Sequence, residues 1–515
     1  MTGLVERSVK GILFNFLGQI GGSIVTVATS VFVVRLLTPT EYGIYGLLFA
    51  ISGLASPFIS LGMGSALNRF LPELRVQNEK EKERKMFRQV ALIQLGIAGI
   101  VTVVLLLFAE NIAVFLNAPT ATELIRIYSL NLLPATMVGA LDTSLIAHFK
   151  QKFLNSANFF VSALTLIFLI VILILEMGLT EIVILIVGMT YIACLVKGSY
   201  ALLSRKSVQE QLTAFSERIL GYRFWKYSLS MFVIALGDFV LSYVSAIYFL
   251  TIFRSLDEVG FFRFAYGVAY TFIHFIPGAI VGLIVAAAAE AYTSGGSEAL
   301  NRVFRQNVKF TMISAIPTGI VGIIVAQDII TVIYDPKYLP ALFAFQLSFL
   351  LISAIKWQGA IGMVAVTMEK TEILIYGKVI SIAKILLYLL LIPPYGIIGA
   401  IIATQASWFI VLVFEYSMIR NHISLEFPAR VLGKYLLAGV MAGLTVYALK
   451  HVVAITNIPM LLLFFAIAAG VFFIGIRYLN ALEEIDYKMI IESNIPYNTL
   501  ILKILGYDGS RYDSR

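Results

Sequence analysis

"LTPTEYGIYGLL", residues 37–48, interrupts two long apolar runs with Pro39, Glu41, Gly43 and Gly46. Before it an apolar run reaches Val34, and after it the chain returns at once to Leu, Phe, Ala and Ile. So short a break between such long runs reads as a tight link between two helices. Pro39 ends one helix, and Gly43 leaves room for the next to pack closely. Apolar runs and short polar breaks alternate in this way along the whole chain.

The 515 residues are 59% hydrophobic and 13% charged, with a mean hydropathy of +0.91. A soluble globular chain carries about 25% charged residues. Burial in a core does not account for that deficit over this length, whereas lipid does. The runs are continuous and about 20 residues long, which is the length of a helical span. A β-barrel would show alternating segments of ~10 residues. The chain therefore reads as an all-α polytopic membrane protein.

Arg7 and Lys10 precede the first apolar run, which is too long for a signal peptide and lacks a small-x-small cleavage site, so it reads as a retained span. The one cysteine, Cys194, excludes a disulfide framework and a cysteine-based metal cluster. The net charge of +8 fits basic residues gathered on a cytoplasmic face rather than nucleic-acid binding.

About fourteen spans of ~20 residues follow from the runs: 10–35, 42–66, 87–108, 122–147, 155–176, 180–203, 224–250, 259–289, 306–326, 341–366, 373–392, 397–419, 433–450 and 458–477. The N-terminus and every second loop hold most of the 38 lysines and arginines, which puts both termini in the cytoplasm of a multi-pass cell-membrane protein. "RVQNEKEKERKMFR" (75–88) reads as a solvated helix. "LTAFSERILGYRFWKYS" (212–228) reads as an amphipathic elbow with Tyr222, Trp225 and Tyr227 at headgroup level.

The opening stretch has a copy. A shift of 217 residues lays it on "RSLDEVGFFRFA" (254–265), pairing Glu41 with Glu258, Gly43 with Gly260 and Tyr45 with Phe262. The same shift lays "AENIAVFL" (109–116) on "AQDIITVI" (326–333). The offset holds six spans, an even number, so the copies are parallel. This predicts a six-helix lobe over 1–204, an interfacial linker over 205–223, a second six-helix lobe over 224–420, two further helices over 421–480 and a cytoplasmic tail over 481–515. Two such lobes fit a transporter that opens alternately to either side.

With the link and its copy in view, the sequence resembles the Wzx-type polysaccharide and oligosaccharide-lipid flippases of the MOP (MATE-like) exporter superfamily. "LTPTEYGIYGLL" is similar to their Leu-x-Pro-x-x-Tyr-Gly-x-Tyr signature, and "VGFF" (259–262) and the 6+6+2 layout also fit. The resemblance covers residues 5–480. It implies export of an oligosaccharide on a polyisoprenyl phosphate or pyrophosphate from inner to outer leaflet, beside the glycosyltransferases and polymerase of a surface-glycan pathway. It implies no cofactor and leaves proton or sodium coupling open. A lipid II-type flippase and a MATE-like multidrug cation antiporter are the alternatives. Relatives carry an Asp-Arg pair midway along the seventh span. In "LGDFVLSYVSAIYF" (236–249) Asp238 comes earlier and no arginine follows it.

Charged groups at the bilayer centre are costly and mark pathways or internal pairs. Asp142, Asp238, Arg263, His274, Lys356 and Lys384 fall deep in the expected spans. Arg263, Lys356, Lys384 and His274 are candidates for an anionic substrate, with an internal ion pair as the other reading. Asp142 and Asp238 are candidates for a coupling proton. His274 has no second histidine nearby, so a metal site is not expected. Arg35, Arg126, Arg254, Glu290 and Glu415 lie nearer the interfaces, where snorkelling explains them. No Asp-x-Asp, P-loop, His-Glu-x-x-His or large loop is present, so an enzyme is not expected.

Overall fold

The computed structural model describes residues 25–77, 79–148, 150–203, 220–278, 281–483 and 486–487. Among them every regular element is helical. In chain order these are α1 (Val25–Leu36), α2 (Pro39–Ser60), α3 (Met63–Val76), α4 (Lys80–Phe115), α5 (Thr122–Ser129), α6 (Leu132–Ala147), α7 (Gln151–Ile174), α8 (Leu179–Leu203), α9 (Tyr222–Leu241), α10 (Ser245–Phe253) and α11 (Leu256–Gly278). Then come α12 (Val281–Ile324), the single turn α13 (Ala326–Asp328), α14 (Leu342–Ile355), α15 (Gly359–Thr367), α16 (Thr371–Ile380), α17 (Ala383–Arg420), α18 (Ala429–Val452) and α19 (Ile458–Tyr478).

Among the described residues, ten helical segments are long and apolar enough to cross a membrane, or eleven if the pair Pro119–Ser129 and Leu132–Ile146, bent by 45°, is one span. This is fewer than the expected fourteen. Three features lower the number, the first being that α11, in the expected eighth span 259–289, is not among these segments. Residues 10–24 of the expected first span lie outside the described residues. The 49-residue segment Glu372–Arg420 folds back on itself at Gly396 (φ 52°, ψ −126°), a conformation that glycine alone adopts readily. A Cβ on Gly399 would collide with Leu391 O, eight residues earlier, which a straight helix would hold ~12 Å away. The outward faces are apolar: Leu107, Phe115, Ile174 and Leu195 are all at least 70% exposed.

The link at 37–48 takes a definite form. Pro39 does not end a helix; α1 has already stopped, and Pro39 is the first residue of α2. Its missing N–H costs nothing there, because first-turn N–H groups have no partner within the helix. Thr38 and Glu41 form a capping box: Glu41 N–H donates to Thr38 Oγ1 (3.3 Å), and Thr38 N–H donates to Glu41 Oε2 (2.8 Å). Such a cap contributes about 0.5–2 kcal/mol.

The chain groups into two compact units, residues 1–263 with 375–407, and residues 264–374 with 408–515. These are groupings by contact, whereas the lobes at 1–204 and 224–420 are groupings by repeat. Most of the expected linker, residues 205–219, and most of the expected tail lie outside the described residues. In the first unit Met63, Leu67 and Phe70 of α3 pack with Met86 and Val90 of α4 and Phe224 of α9. Trp225 and Tyr227 of the expected elbow pack on this cluster, while Tyr222 is 82% exposed. In the second unit α14, α15 and α18 pack on α12. Gly439 and Gly443 of α18 face Ile316, Ile320 and Ile324, so a side chain at either would push α18 away from α12.

Candidate functional site

Copies at the 217 offset touch each other in the first unit. A Cβ on Gly43 would collide with Leu256 O, and one on Gly260 with Pro39 O, which is the same contact seen from the other copy. Thr40 Oγ1 donates to Asp257 Oδ1, again between positions 217 apart. Residue i meets j while the equivalent of j meets the equivalent of i, as at a two-fold axis. Glycine at both positions lets α2 and the start of α11 cross in backbone contact.

One turn past Gly260 along α11, this crossing carries Arg263. Its guanidinium carbon lies 4.9, 4.3 and 4.9 Å from the ring centroids of Tyr42, Tyr45 and Phe49. Those three sit at i, i+3 and i+7, one face of α2. Gly46, the repeat equivalent of Arg263, faces it, and a Cβ there would stand 3.0 Å from Arg263 Cδ. Arg263 Nη1 is buried and makes no hydrogen bond among the described residues. No carboxylate pairs with Arg263 there; the aromatic faces supply the negative potential instead.

In the second unit Lys356 stands where α14 breaks. A 3₁₀ turn, Lys356–Gln358, separates α14 from α15. Lys356 makes no hydrogen bond or ion pair among the described residues. Its charge acts on His274, whose ring stacks on Tyr270 (centroids 3.6 Å apart). His274 Nδ1 lies 3.0 Å from Tyr270 O; as the donor there, it leaves Nε2 as an acceptor. Gln358 Nε2 donates to Glu415 Oε2 at 3.2 Å. Glu415 is 1% exposed, so it is buried rather than snorkelling to an interface.

Both in-span aspartates have partners. Asp142 pairs with Lys197 at 2.6 Å, and that lysine is 2% exposed. Asp238 pairs with Lys378 at 2.6 Å. Lys384 is fully buried and donates to Leu241 O (2.8 Å) and Ser242 O (2.9 Å). Arg126 and Arg254, expected to snorkel, pair with Glu123 and Glu258. The lysine partners could not be read from sequence, because each comes from a helix far along the chain from its aspartate. The Tyr42, Tyr45 and Phe49 spacing was visible, and what it faces was not.

Outside the membrane-spanning segments, Glu483 accepts from Lys309 Nζ (3.0 Å) and Arg305 Nη2 (3.1 Å), and Asp486 accepts from Lys309 Nζ (2.7 Å). Burial raises the Glu483 pKa, but the Lys309 hydrogen bond and the two cations outweigh it and hold the carboxyl below its ordinary range. A cleft of about 540 Å³ beside this cluster, lined by Arg302, Arg305, Glu426 and Glu483 among others, holds none of the residues expected to bind substrate.

The fold matches that of known transporters. The lipid II flippase MurJ, in an inward closed conformation, superposes with a TM-score of 0.70 at 14% identity, covering 94% of this chain and all of that one. An inward-facing multidrug resistance MATE family transporter of the MOP superfamily superposes with a TM-score of 0.62 at 15% identity, covering 78% of this chain and 95% of that one. In sequence, an uncharacterised membrane protein of Methanocaldococcus jannaschii is 20% identical over 509 residues, covering 95% of this chain and 99% of its own length. Residues 8–288, more than half of the chain, match the family described as polysaccharide biosynthesis protein. With that match and a fold shared with MOP-superfamily transporters, the chain belongs to the polysaccharide biosynthesis protein family.

Proposed function

We propose that the protein is a flippase that moves a polyisoprenyl-phosphate- or pyrophosphate-linked oligosaccharide from the inner to the outer leaflet by alternating access. It serves surface-polysaccharide or glycan biosynthesis, in the cell membrane with both termini in the cytoplasm. The observation that carries this reading is the charge balance inside the spans. Asp142 and Asp238 are neutralised by lysines, whereas Arg263 and Lys356 have no carboxylate among the described residues. Uncompensated cations in a poorly hydrated region attract a phosphate. Arg263 in the first unit and, separately, Lys356 with His274 beside it in the second are the groups assigned to anionic-substrate contact. A MATE-like cation antiporter would need the reverse balance.

The test is flipping of a defined lipid-linked oligosaccharide in proteoliposomes, with and without a proton gradient, for the wild type and for Arg263→Ala and Lys356→Ala. Flipping by the wild type that falls at least tenfold in either variant supports the proposal. Transport of no such lipid overturns it. A second reading, a lipid II-type flippase, is favoured by the fold shared with MurJ. Lipid II in the same assay separates the two: preferential flipping of lipid II selects the second.

A further inference from the structure

Lys384 lies in a cluster that resembles an ion site more than a salt bridge. α9 ends at Leu241, and Ser242 leaves the helix with φ −59° and ψ 146° before α10 begins at Ser245. At such a break the last carbonyls have no N–H of their own helix to accept from, and the helix dipole makes that end negative. Leu241 O and Ser242 O both point at Lys384 Nζ. The ammonium also stands 5.1 Å from the centroid of the Tyr388 ring. Hydroxyls close the surroundings: Tyr388 Oη is 3.3 Å from Ser245 Oγ and 3.0 Å from Thr404 Oγ1, and Ser245 Oγ donates to Ser242 O (2.8 Å). Lys384 and Thr404 are completely buried, and Tyr388 and Ser245 nearly so.

The charged groups near the break are accounted for. Asp238 on α9 is engaged by Lys378 of α16, Tyr388 is a neutral phenol at ordinary pH, and no carboxylate pairs with Lys384 among the described residues. The ammonium is held by oxygens that carry no formal charge, in a buried pocket at the unwound end of a helix. Broken transmembrane helices coordinate a small monovalent cation with the same set of groups. Lysine differs in bringing its own cation on a tether.

We propose that the Lys384 ammonium is the resident cation of a monovalent-ion site at the α9–α10 break, and that this chain therefore needs no sodium there. Truncating the tether leaves Leu241 O without the lysine donor, Ser242 O with only its bonds from Ser245, and neighbouring hydroxyls around a void, which a sodium ion fills. The site stands on its own geometry; only its part in coupling rests on the exporter reading above.

The test uses the full-length purified protein and sodium chloride as the probe, with choline chloride at equal ionic strength as the reference. The melting temperature of the wild type is expected to be the same in both salts. That of Lys384→Ala is expected to be lower in choline and to rise, saturably, with sodium. Lys384→Met fills the volume without a charge and is expected to show no sodium response. A lysine that served packing alone would give no such difference between Ala and Met. If Lys384→Ala is not recovered folded in choline, recovery in sodium reads the same result as yield, and failure in both salts overturns the proposal. A sodium-specific rise in the wild type, or none in Lys384→Ala, also overturns it. No outcome depends on the transported lipid, so this proposal and the flippase reading fail separately.

Discussion

Gly43 and Gly260 meet backbone to backbone, 217 residues apart, each beside the carbonyl of the residue that stands four places before the other. Backbone atoms cannot move aside as a side-chain tip can. Gly43→Ala and Gly260→Ala are each expected to destabilise the protein by about 1–3 kcal/mol, the usual cost of overpacking. Their effects share one contact, so the double variant is expected to lose less than the sum. Thermal unfolding in detergent measures this; two strictly additive losses would contradict the shared crossing.

Removing one partner of the Asp142–Lys197 pair strands a charge that is 2% exposed. Asp142→Asn is expected to cost about 3–5 kcal/mol, and the double variant with Lys197→Met to recover most of it. Chemical denaturation of the single and double variants measures the loss and its recovery, and a transport assay of the double variant separates a structural pair from a coupling carboxylate. A pair that only holds α6 to α8 lets the double variant keep transport, and a coupling aspartate does not.

The rings around Arg263 are expected to matter through its position. Tyr45→Leu removes the nearest ring, at 4.3 Å, and about 0.5–2 kcal/mol of cation–π attraction. It is expected to weaken lipid-linked oligosaccharide binding several-fold, and Tyr45→Phe to weaken it much less. A hydroxyl-dependent role would give Tyr45→Phe the full loss. Titration of the labelled lipid distinguishes these results.

Glu483 gives an acid dependence with a definite sign. Its carboxyl is held below the ordinary range in the folded protein, so the stability it adds is complete above the unfolded value. That stability is lost as pH falls through the depressed folded value. The melting-temperature gap between wild type and Glu483→Gln is therefore expected at pH 7 and to narrow steadily as pH falls below the usual glutamate range. A gap that does not narrow on acidification would show that the contribution is not ionic.

The sequence made the helices and their repeat legible because lipid imposes continuous apolar runs and duplication preserves spacing. It named Arg263, Lys356 and His274 as deep polar groups for the same reason, since charge is rare in such runs. Partnership was not legible. Lys197 and Lys378 look like any other lysines, and only the packing of α8 against α6 and of α16 against α9 makes them counter-ions. The carbonyls that Lys384 meets are not legible either, because sequence does not show where α9 breaks. Pro39 was misplaced by one step, since proline suits the start of a helix as well as the end of the one before.

The self-matching contact at Gly43 and Gly260 has the form of a homodimer interface written into one polypeptide. Two separate half-length subunits with that patch would have to share every substitution, and their association would depend on concentration. Joined in one chain, the halves stay together at any dilution and can change one at a time. That freedom is visible a single turn away, where one half keeps Gly46 and the other has placed Arg263 in the space it leaves. A symmetric dimer could not hold one arginine on its axis, and this fused chain does.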